Sequence, residues 1–390
     1  MENKIIRILY YKLFFVLTIF SQFHCSETEK KNQNTFVVAT YDDVKDWDPA
    51  TAFSLEVLPM SNMYEPLLWY DAGSKPGKFV PGLASSYSKS KDGLTWTFNL
   101  RDNVFFHDGT KFDSQTVKYI VERNKKLNGG ASYIWSYVEK IIINNPYQIT
   151  FILTTPVPFD KIVSSQYGAW MYSPSIDSIS EDSLMNGFGS GTGPYQLKKW
   201  VRNKYILLEK FDNYWKGWDR TNHYESILFQ IASESSTRLQ MIESGIADYA
   251  VLIPNQLLSR LEENPKVSVS SHQSWANEFY LLNTKKHPTD NLWVRRAIAS
   301  SLNREILANY IYKNTAVEPK GLIPQSIPLF IEPDSLISFD LDFAKGYLKK
   351  AEIDLSNTTI DLSYVSTYEE YRLTTFMLLD NLRKLDVQLE

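Results

Sequence analysis

A single cysteine among 390 residues excludes an intrachain disulfide framework, even in an oxidising compartment. Long apolar stretches are missing too. The run Leu13 to Phe20 is far too short to span a bilayer, and no later segment is apolar enough. Neither sign of charge dominates: Lys and Arg number 41 against 45 Asp and Glu, with no basic patch beyond the first 12 residues. That balance excludes nucleic acid as an expected partner. Glycine is sparse, at 16 residues, yet Gly187, Gly189, Gly191 and Gly193 cluster in NGFGSGTGPY. Glycine at every second residue is not the spacing of a dinucleotide or phosphate loop, and no Lys-Ser/Thr follows it. The cluster reads as a linker of special backbone geometry. His24, His107, His223, His272 and His287 are dispersed, and no pair has metal-ligand spacing. No Gly-x-Ser-x-Gly occurs, nor any paired nucleophile and base, so an extracellular hydrolase is disfavoured and no cofactor is expected.

What is present describes a globular chain with a sizeable core. Hydrophobic residues make up 43% and charged residues 22%, and the length suits roughly two or three domains. Aromatics reach 14%, with 24 Tyr and 10 Trp. Most such rings belong in a core, but aromatic faces also line clefts at low entropic cost. At the N-terminus, Lys4, Arg7 and Lys12 precede the apolar run, the anatomy of a secretion signal over residues 1–24. Cys25 follows at once and resembles the lipid-attachment cysteine of bacterial lipoproteins, although bulky Gln22, Phe23 and His24 depart from that pattern. Residues 25–35, rich in polar side chains, read as a tether.

Short strands and helices alternate along the rest. Phe36 to Thr40 reads as a buried strand, and a helix follows Ser54 with Leu55, Leu58 and Met63 inside. Trp96, Phe98 and Leu100 alternate with Thr97 and Asn99 between the turns Asp92-Gly93 and Asp108-Gly109. Asp113 or Ser114 caps a helix through Val117, Ile120 and Val121. Residues 141–143 and 149–153 flank the turn at 144–147, and residues 195–200 and 205–211 form a second hairpin. Further helices start at Ser235 or Ser236, Asp290, Asp340 and Glu369, and Phe279 to Asn283 reads as a strand. His107-Asp108 is a turn and not an acid/base pair, because adjacent residues on a turn diverge. The class is α/β with several lobes.

The stretch from Pro81 to Val117 carries a resemblance. Pro81, Leu83, Ala84, Asp92, Gly93, Thr95, Trp96, Phe98, Leu100, Arg101, Phe106, His107, Asp108 and Gly109 match the signature of one family. Further elements follow its order: Asp46-Trp47-Asp48-Pro49, Tyr64-Glu65-Pro66-Leu67, Gly191-Thr192-Gly193-Pro194-Tyr195, Asp212-Asn213-Tyr214-Trp215, Glu243 to Asp248, and Asn283 to Leu307. The chain thus resembles the bacterial extracellular solute-binding proteins of the peptide and nickel type, the receptors that feed ABC importers. The resemblance implies a two-lobed, type II periplasmic-binding-protein-like fold with an inserted third domain. Residues 36–60 and 190–270 would form lobe I, 61–189 the insert, and 271–390 a second lobe that the resemblance leaves incomplete, as in a truncated receptor.

It also implies closure of the lobes around oligopeptides or dipeptides, delivered to an ABC permease and its ATPase by a monomer in the periplasm or on the cell surface. A nickel or metal-chelate receptor is the alternative. In many members an Asp late in the second lobe pairs with the peptide amino terminus, and no residue here matches it. Candidate ligand contacts therefore come from position: Tyr133, Tyr249, Trp275 and Asn277, then Phe53 and Trp170.

Overall fold

The computed structural model describes residues 34–389 apart from positions 55, 72, 75–76, 220–222, 271–273, 328–329, 354, 356–358 and 367. The expected signal sequence, Cys25, Leu55 and His272 lie outside the described residues. Residues 36–390 form one compact unit.

A five-stranded sheet combines β1 (Thr35–Thr40), β8 (Tyr195–Val201), β9 (Tyr205–Lys210), β10 (Ser226–Ile231) and β11 (Tyr249–Ala250) in the order β11-β1-β10-β9-β8. Segments 36–40 and 205–210, far apart in sequence, therefore share one sheet. On β9 and β10, Leu208 sits opposite Ile227 and Ile206 opposite Phe229, and all four are buried. Cross-strand apolar pairs of this kind hold the register, since a one-residue slip would turn them to the other face. Strand β1 runs parallel to β11, with Val38 opposite Tyr249 and Ala39 opposite Ala250. Val37 to Thr40 are buried without alternation because both faces of β1 are covered.

The expected strand over Trp96 to Leu100 is β5 (Thr95–Leu100), flanked by β4 (Ala84–Lys89) and β7 (Gln148–Leu153), with β6 (Val138–Asn145) beyond. All three pairings are antiparallel. Trp96 and Phe98 point into a core with Phe151, Phe159 and Trp135, while Thr97 and Thr150 hydrogen-bond across the other face at 2.9 Å. Helix α2 (Ser114–Leu127), which follows the short helix α1 (Val57–Met63), covers this sheet through Val117, Ile120 and Val121. Asp113, not Ser114, is its cap and accepts from Thr116 N at 2.9 Å. A separate hairpin pairs β2 (Leu68–Asp71) with β3 (Lys78–Pro81).

The signature motifs are joined by one buried carboxylate. Glu65, 1% exposed, accepts from Trp215 Nε1 at 2.7 Å, Tyr214 Oη at 2.9 Å and Thr192 Oγ1 at 3.2 Å. Gly191 and Gly193 press against the end of α1, where a Cβ would stand 1.9 Å from Met63 O and 2.5 Å from Asn62 O respectively. Close approach, and not a left-handed backbone, requires glycine at these two positions. His107 closes the same joint. Gly191 N donates to its Nδ1 at 3.3 Å, leaving Nε2 to donate to Gly193 O at 2.9 Å. Burial lowers its pKa to about 4, so the ring is neutral near pH 7 and acts as a brace.

After β10 come α3 (Ser235–Glu243) and α4 (Asn255–Glu262). The residue before α3 is Glu234, which makes no side-chain cap, so neither Ser235 nor Ser236 has the expected role. Helices α5 (Leu292–Ser300), α6 (Leu341–Ala351) and α7 (Glu369–Arg383) then pack on each other. Val294, Ile298, Ala351, Leu378, Leu382 and Val387 form their core. Asn291 caps α5 in place of Asp290, accepting from Trp293 N at 2.8 Å, and Asp340 caps α6 as expected. Strand β12 (Thr359–Ile360) runs parallel to β13 (Gln388–Leu389). The expected strand over 279–283 joins no ladder in the structure, and Leu281 is 91% exposed. The residue types suit a strand, and residues 280–283 line one cavity with Thr359 and Ile360 of β12, but no ladder of hydrogen bonds joins the two among the described residues.

Candidate functional site

Ligands of open α/β sheets gather outside the carboxyl ends of parallel strands, where loops diverge. Here those ends belong to β1 and β11, and the loop after β1 is rich in charge: Asp42, Asp43, Lys45, Asp46 and Asp48 within a few residues. Much of that charge is fixed in place. Asp43 accepts from Val44 N, Trp200 Nε1 and Asn203 N at 2.7–2.9 Å. Asp46 accepts from Asp48 N at 2.9 Å and Thr51 Oγ1 at 2.6 Å. Asp48 makes a two-point pair with Arg123, at 2.9 and 2.7 Å. Such forked bonds to a half-enclosed carboxylate are stronger than neutral ones.

Asp43, Asp46, Phe53 and Glu56 line a cavity of about 220 Å³. Phe53 is 56% exposed, and its ring lies 5.2 Å from that of Tyr167. Gly130, at φ +51°, approaches Thr51 so closely that a Cβ would meet Thr51 O at 2.4 Å. That contact seats the 129–133 segment beside the loop holding Phe53.

Arg238, on α3 and fully buried, anchors the floor of this region. Its guanidinium donates to Ala232 O, Ser233 O, Val251 O and Leu252 O at 2.7–2.8 Å. These carbonyls belong to the segments that leave β10 and β11. The same group lies 5.8 Å from the Tyr41 ring.

Elements from the C-terminal helical region face these loops. Tyr41 Oη and Tyr368 Oη lie 3.0 Å apart, and Tyr368 stacks on Tyr371 at 4.7 Å. Asn255 N donates to Glu370 Oε1 at 2.9 Å, and Gln256 Nε2 donates to Ile311 O at 3.1 Å. Tyr312 Oη donates to Glu278. Burial raises the Glu278 pKa and the nearby Glu370 charge raises it further, against the hydrogen bond from Tyr312. The facing surfaces are therefore tyrosine-rich and acidic.

The six sequence candidates fall out unevenly. Tyr133 is 65% exposed on a 3-10 turn over Ser132–Tyr137, next to the Phe53 loop. Trp275 is half exposed and lies 6.0 Å from Tyr70 of the β2–β3 hairpin. Tyr249 is exposed on the edge strand β11. Asn277 donates its amide to Gly321 O and Leu322 O, so those donors hold a loop of its own chain. Trp170 is corrected by the structure: it is 1% exposed and packs near Tyr64 in the core, with no face open to a solute. Tyr41, Glu56, Arg238, Glu278, Tyr368 and Glu370, which the structure gathers at these loops, are not among the sequence candidates. The acidic run after β1 was the one available signal, because an unusual charge density directly behind a buried strand marks a loop with work to do. Among the described residues no cluster of three or more His, Cys, Asp or Glu is placed to hold a metal ion, and no helix is long and apolar enough to cross a membrane.

Comparison with known proteins bears on this geometry. The family described as "Bacterial extracellular solute-binding proteins, family 5 Middle" matches residues 78–390. The glutathione-binding protein GsiB of Pectobacterium atrosepticum is 28% identical over 296 residues, which are 75% of this chain and 55% of that protein. GsiB of Escherichia coli strain K12 is 27% identical over 295 residues, 75% of this chain and 56% of its own length. The chain thus spans about half the length of the curated relatives it matches. In solved structures the fold recurs in the Helicobacter pylori periplasmic binding protein DppA in complex with the peptide STSA, with a TM-score of 0.78, 23% identity, and coverage of 91% of this chain and 73% of that one. It recurs in Staphylococcus aureus NikA in complex with Ni(L-His)2, at TM-score 0.78, 20% identity and 92% and 73% coverage. Burkholderia pseudomallei OppA gives 0.81, 22%, and 92% and 75%.

Proposed function

The chain belongs to the bacterial extracellular solute-binding proteins of family 5, and from that premise we propose that it is a receptor delivering short peptides to an ABC importer. The family is one of binding proteins and not of enzymes. The observation that carries the peptide reading is the pair of facing surfaces at the carboxyl ends of β1 and β11. They offer aromatic side chains and fixed carboxylates, the chemistry that holds a peptide while leaving its side chains loosely sampled.

In this reading residues 36–60 and 190–270 form the first lobe, 61–189 the insert and 271–390 elements of the second lobe. Ligand closes the lobes by binding the closed arrangement better than the open one. Tyr133, Tyr249, Phe53 and Trp275 are the proposed ligand-facing rings. The proposed partner is an ABC permease with its ATPase, which the receptor meets from the periplasm or the cell surface, with Cys25 as the proposed lipid anchor.

Mass spectrometry of small molecules carried through purification, followed by calorimetry with tri-alanine and with Ni(L-His)2, tests the assignment. Peptide binding without hydrolysis is the expected result. A response to the nickel chelate alone overturns it in favour of a chelate receptor. Trp275→Ala should weaken peptide affinity about 2- to 13-fold, the range for losing an aromatic contact. A folded mutant of unchanged affinity removes Trp275 from the site.

A further inference from the structure

Helix α4 starts at Asn255 behind Pro254, whose side chain has nothing to offer the open amides of a first turn. The acceptor comes from far along the chain. Asn255 N donates to Glu370 Oε1 at 2.9 Å, across 115 residues of sequence. Glu370 itself stands in the first turn of α7, and its neighbour Glu369 is taken up by Arg372. A carboxylate placed this way also meets the positive end of the α4 dipole. The next residue of α4 makes a second link, from Gln256 Nε2 to Ile311 O at 3.1 Å. A third joins Tyr41, just beyond β1, to Tyr368, just before α7. Their hydroxyls lie 3.0 Å apart and their rings meet edge-on at 5.9 Å. Arg238 fixes the near side of these links: it donates to Val251 O and Leu252 O, on the segment leading to Pro254, and lies 5.8 Å from the Tyr41 ring. On the far side Tyr368 stacks on Tyr371.

We infer that these links form a clasp between the lobes, with Glu370 and Tyr368 as positioning residues that raise solute affinity without touching the solute. The inference rests on the receptor reading above, which assigns Tyr41, Asn255 and Gln256 to the first lobe and Ile311, Tyr368 and Glu370 to the second. Opening the lobes parts the two ends of every link and leaves the α4 amide to water. The clasp therefore favours the closed arrangement, and apparent affinity rises with the fraction of chains that are closed. A hydrogen bond to a charged group outweighs a neutral one, so Glu370 carries most of the effect and the hydroxyl pair less.

Small-angle X-ray scattering of the full chain without solute tests the clasp independently of any ligand. Glu370→Ala should enlarge the radius of gyration, while Glu370→Gln, which keeps an oxygen for Asn255 N, should stay nearer to wild type. Circular dichroism and thermal melting check that each variant is folded. If Glu370→Ala does not fold, Tyr368→Phe carries the test, with a smaller shift in the same direction. Stopped-flow kinetics with tri-alanine then separate positioning from folding. Dissociation should quicken about 10-fold in Glu370→Ala and about 3-fold in Glu370→Gln and in Tyr368→Phe, with association nearly unchanged. A variant that is merely less stable loses binding amplitude at an unchanged dissociation rate, and that result overturns the positioning role. Scattering curves that coincide for all forms overturn the clasp and leave peptide binding intact. If tri-alanine does not bind, the peptide reading fails by itself, and the scattering alone decides the clasp.

Discussion

Replacing Arg238 by Met isolates one feature of this fold, a buried cation satisfied wholly by backbone. The guanidinium is fully enclosed and donates to four carbonyls, two after β10 and two after β11. Met fills similar volume but donates nothing. A hydrogen bond from a charged group contributes about 1.5–3 kcal/mol net, and the four here are not additive because they share one buried cation. Removing the guanidinium strands neutral carbonyls, at about 1–3 kcal/mol for each one that water cannot reach, a large share of the roughly 5–15 kcal/mol that keeps a domain folded. The loss should also be local. Leu252, one of the accepting residues, has φ +51°, so the strained turn after β11 loses a restraint.

Hydrogen exchange followed by mass spectrometry should show faster exchange at residues 230–234 and 249–254 in Arg238→Met, with β5 and β7 unchanged. Arg238→Lys should fall between, because an ammonium has three donors and no rigid fork to reach both segments. Urea unfolding with tryptophan fluorescence gives the overall cost. A variant within about 0.5 kcal/mol of wild type, the range of ordinary surface substitutions, refutes the clamp.

His107 makes stability depend on pH. Its folded pKa, about 4, lies below the ordinary 6.5, so the neutral ring favours the fold above pH 6.5, and that contribution is lost as pH falls towards 4. The loss is about 3 kcal/mol at most, and His107→Gln should flatten the pH dependence of the midpoint between pH 4 and 6.5; an unchanged slope counts against the assignment. At Glu65, the indole of Trp215 can only donate, so in Glu65→Gln the amide oxygen must face Trp215 while its NH2 turns to the rotatable Tyr214 hydroxyl. A cost of about 1 kcal/mol is expected for Gln and about 3–5 kcal/mol for Leu, which strands the donors; equal thermal midpoints for the two variants would show that the joint does not depend on these bonds.

Much of the architecture was legible in local pattern. The alternation of Trp96, Phe98 and Leu100 dictates a strand with one buried face, whatever lies opposite. Asp340 before an amphipathic run dictates a cap, because its carboxylate satisfies amides that the helix leaves open. The ordered motifs from Asp46 to Leu307 were enough to identify the family. What local pattern could not supply was partnership across long separations. Asp290 is the expected start of α5, yet Asn291 is the residue whose side chain accepts from Trp293 N. Residues 279–283 have the composition of a strand, but a strand needs a ladder of backbone bonds, and none joins them to β12, which lines the same cavity.

Trp170 and Phe53 are both large apolar rings near turn residues. Packing near Tyr64 buries one, and the strained loop at Ser54 leaves the other in solvent. Local pattern singles out neither Glu56 nor Arg238. Only the tertiary fold removes water from both, and it gives the arginine four carbonyls while leaving one oxygen of the glutamate without a donor. Sequence sets which groups can bond; burial decides which of them must.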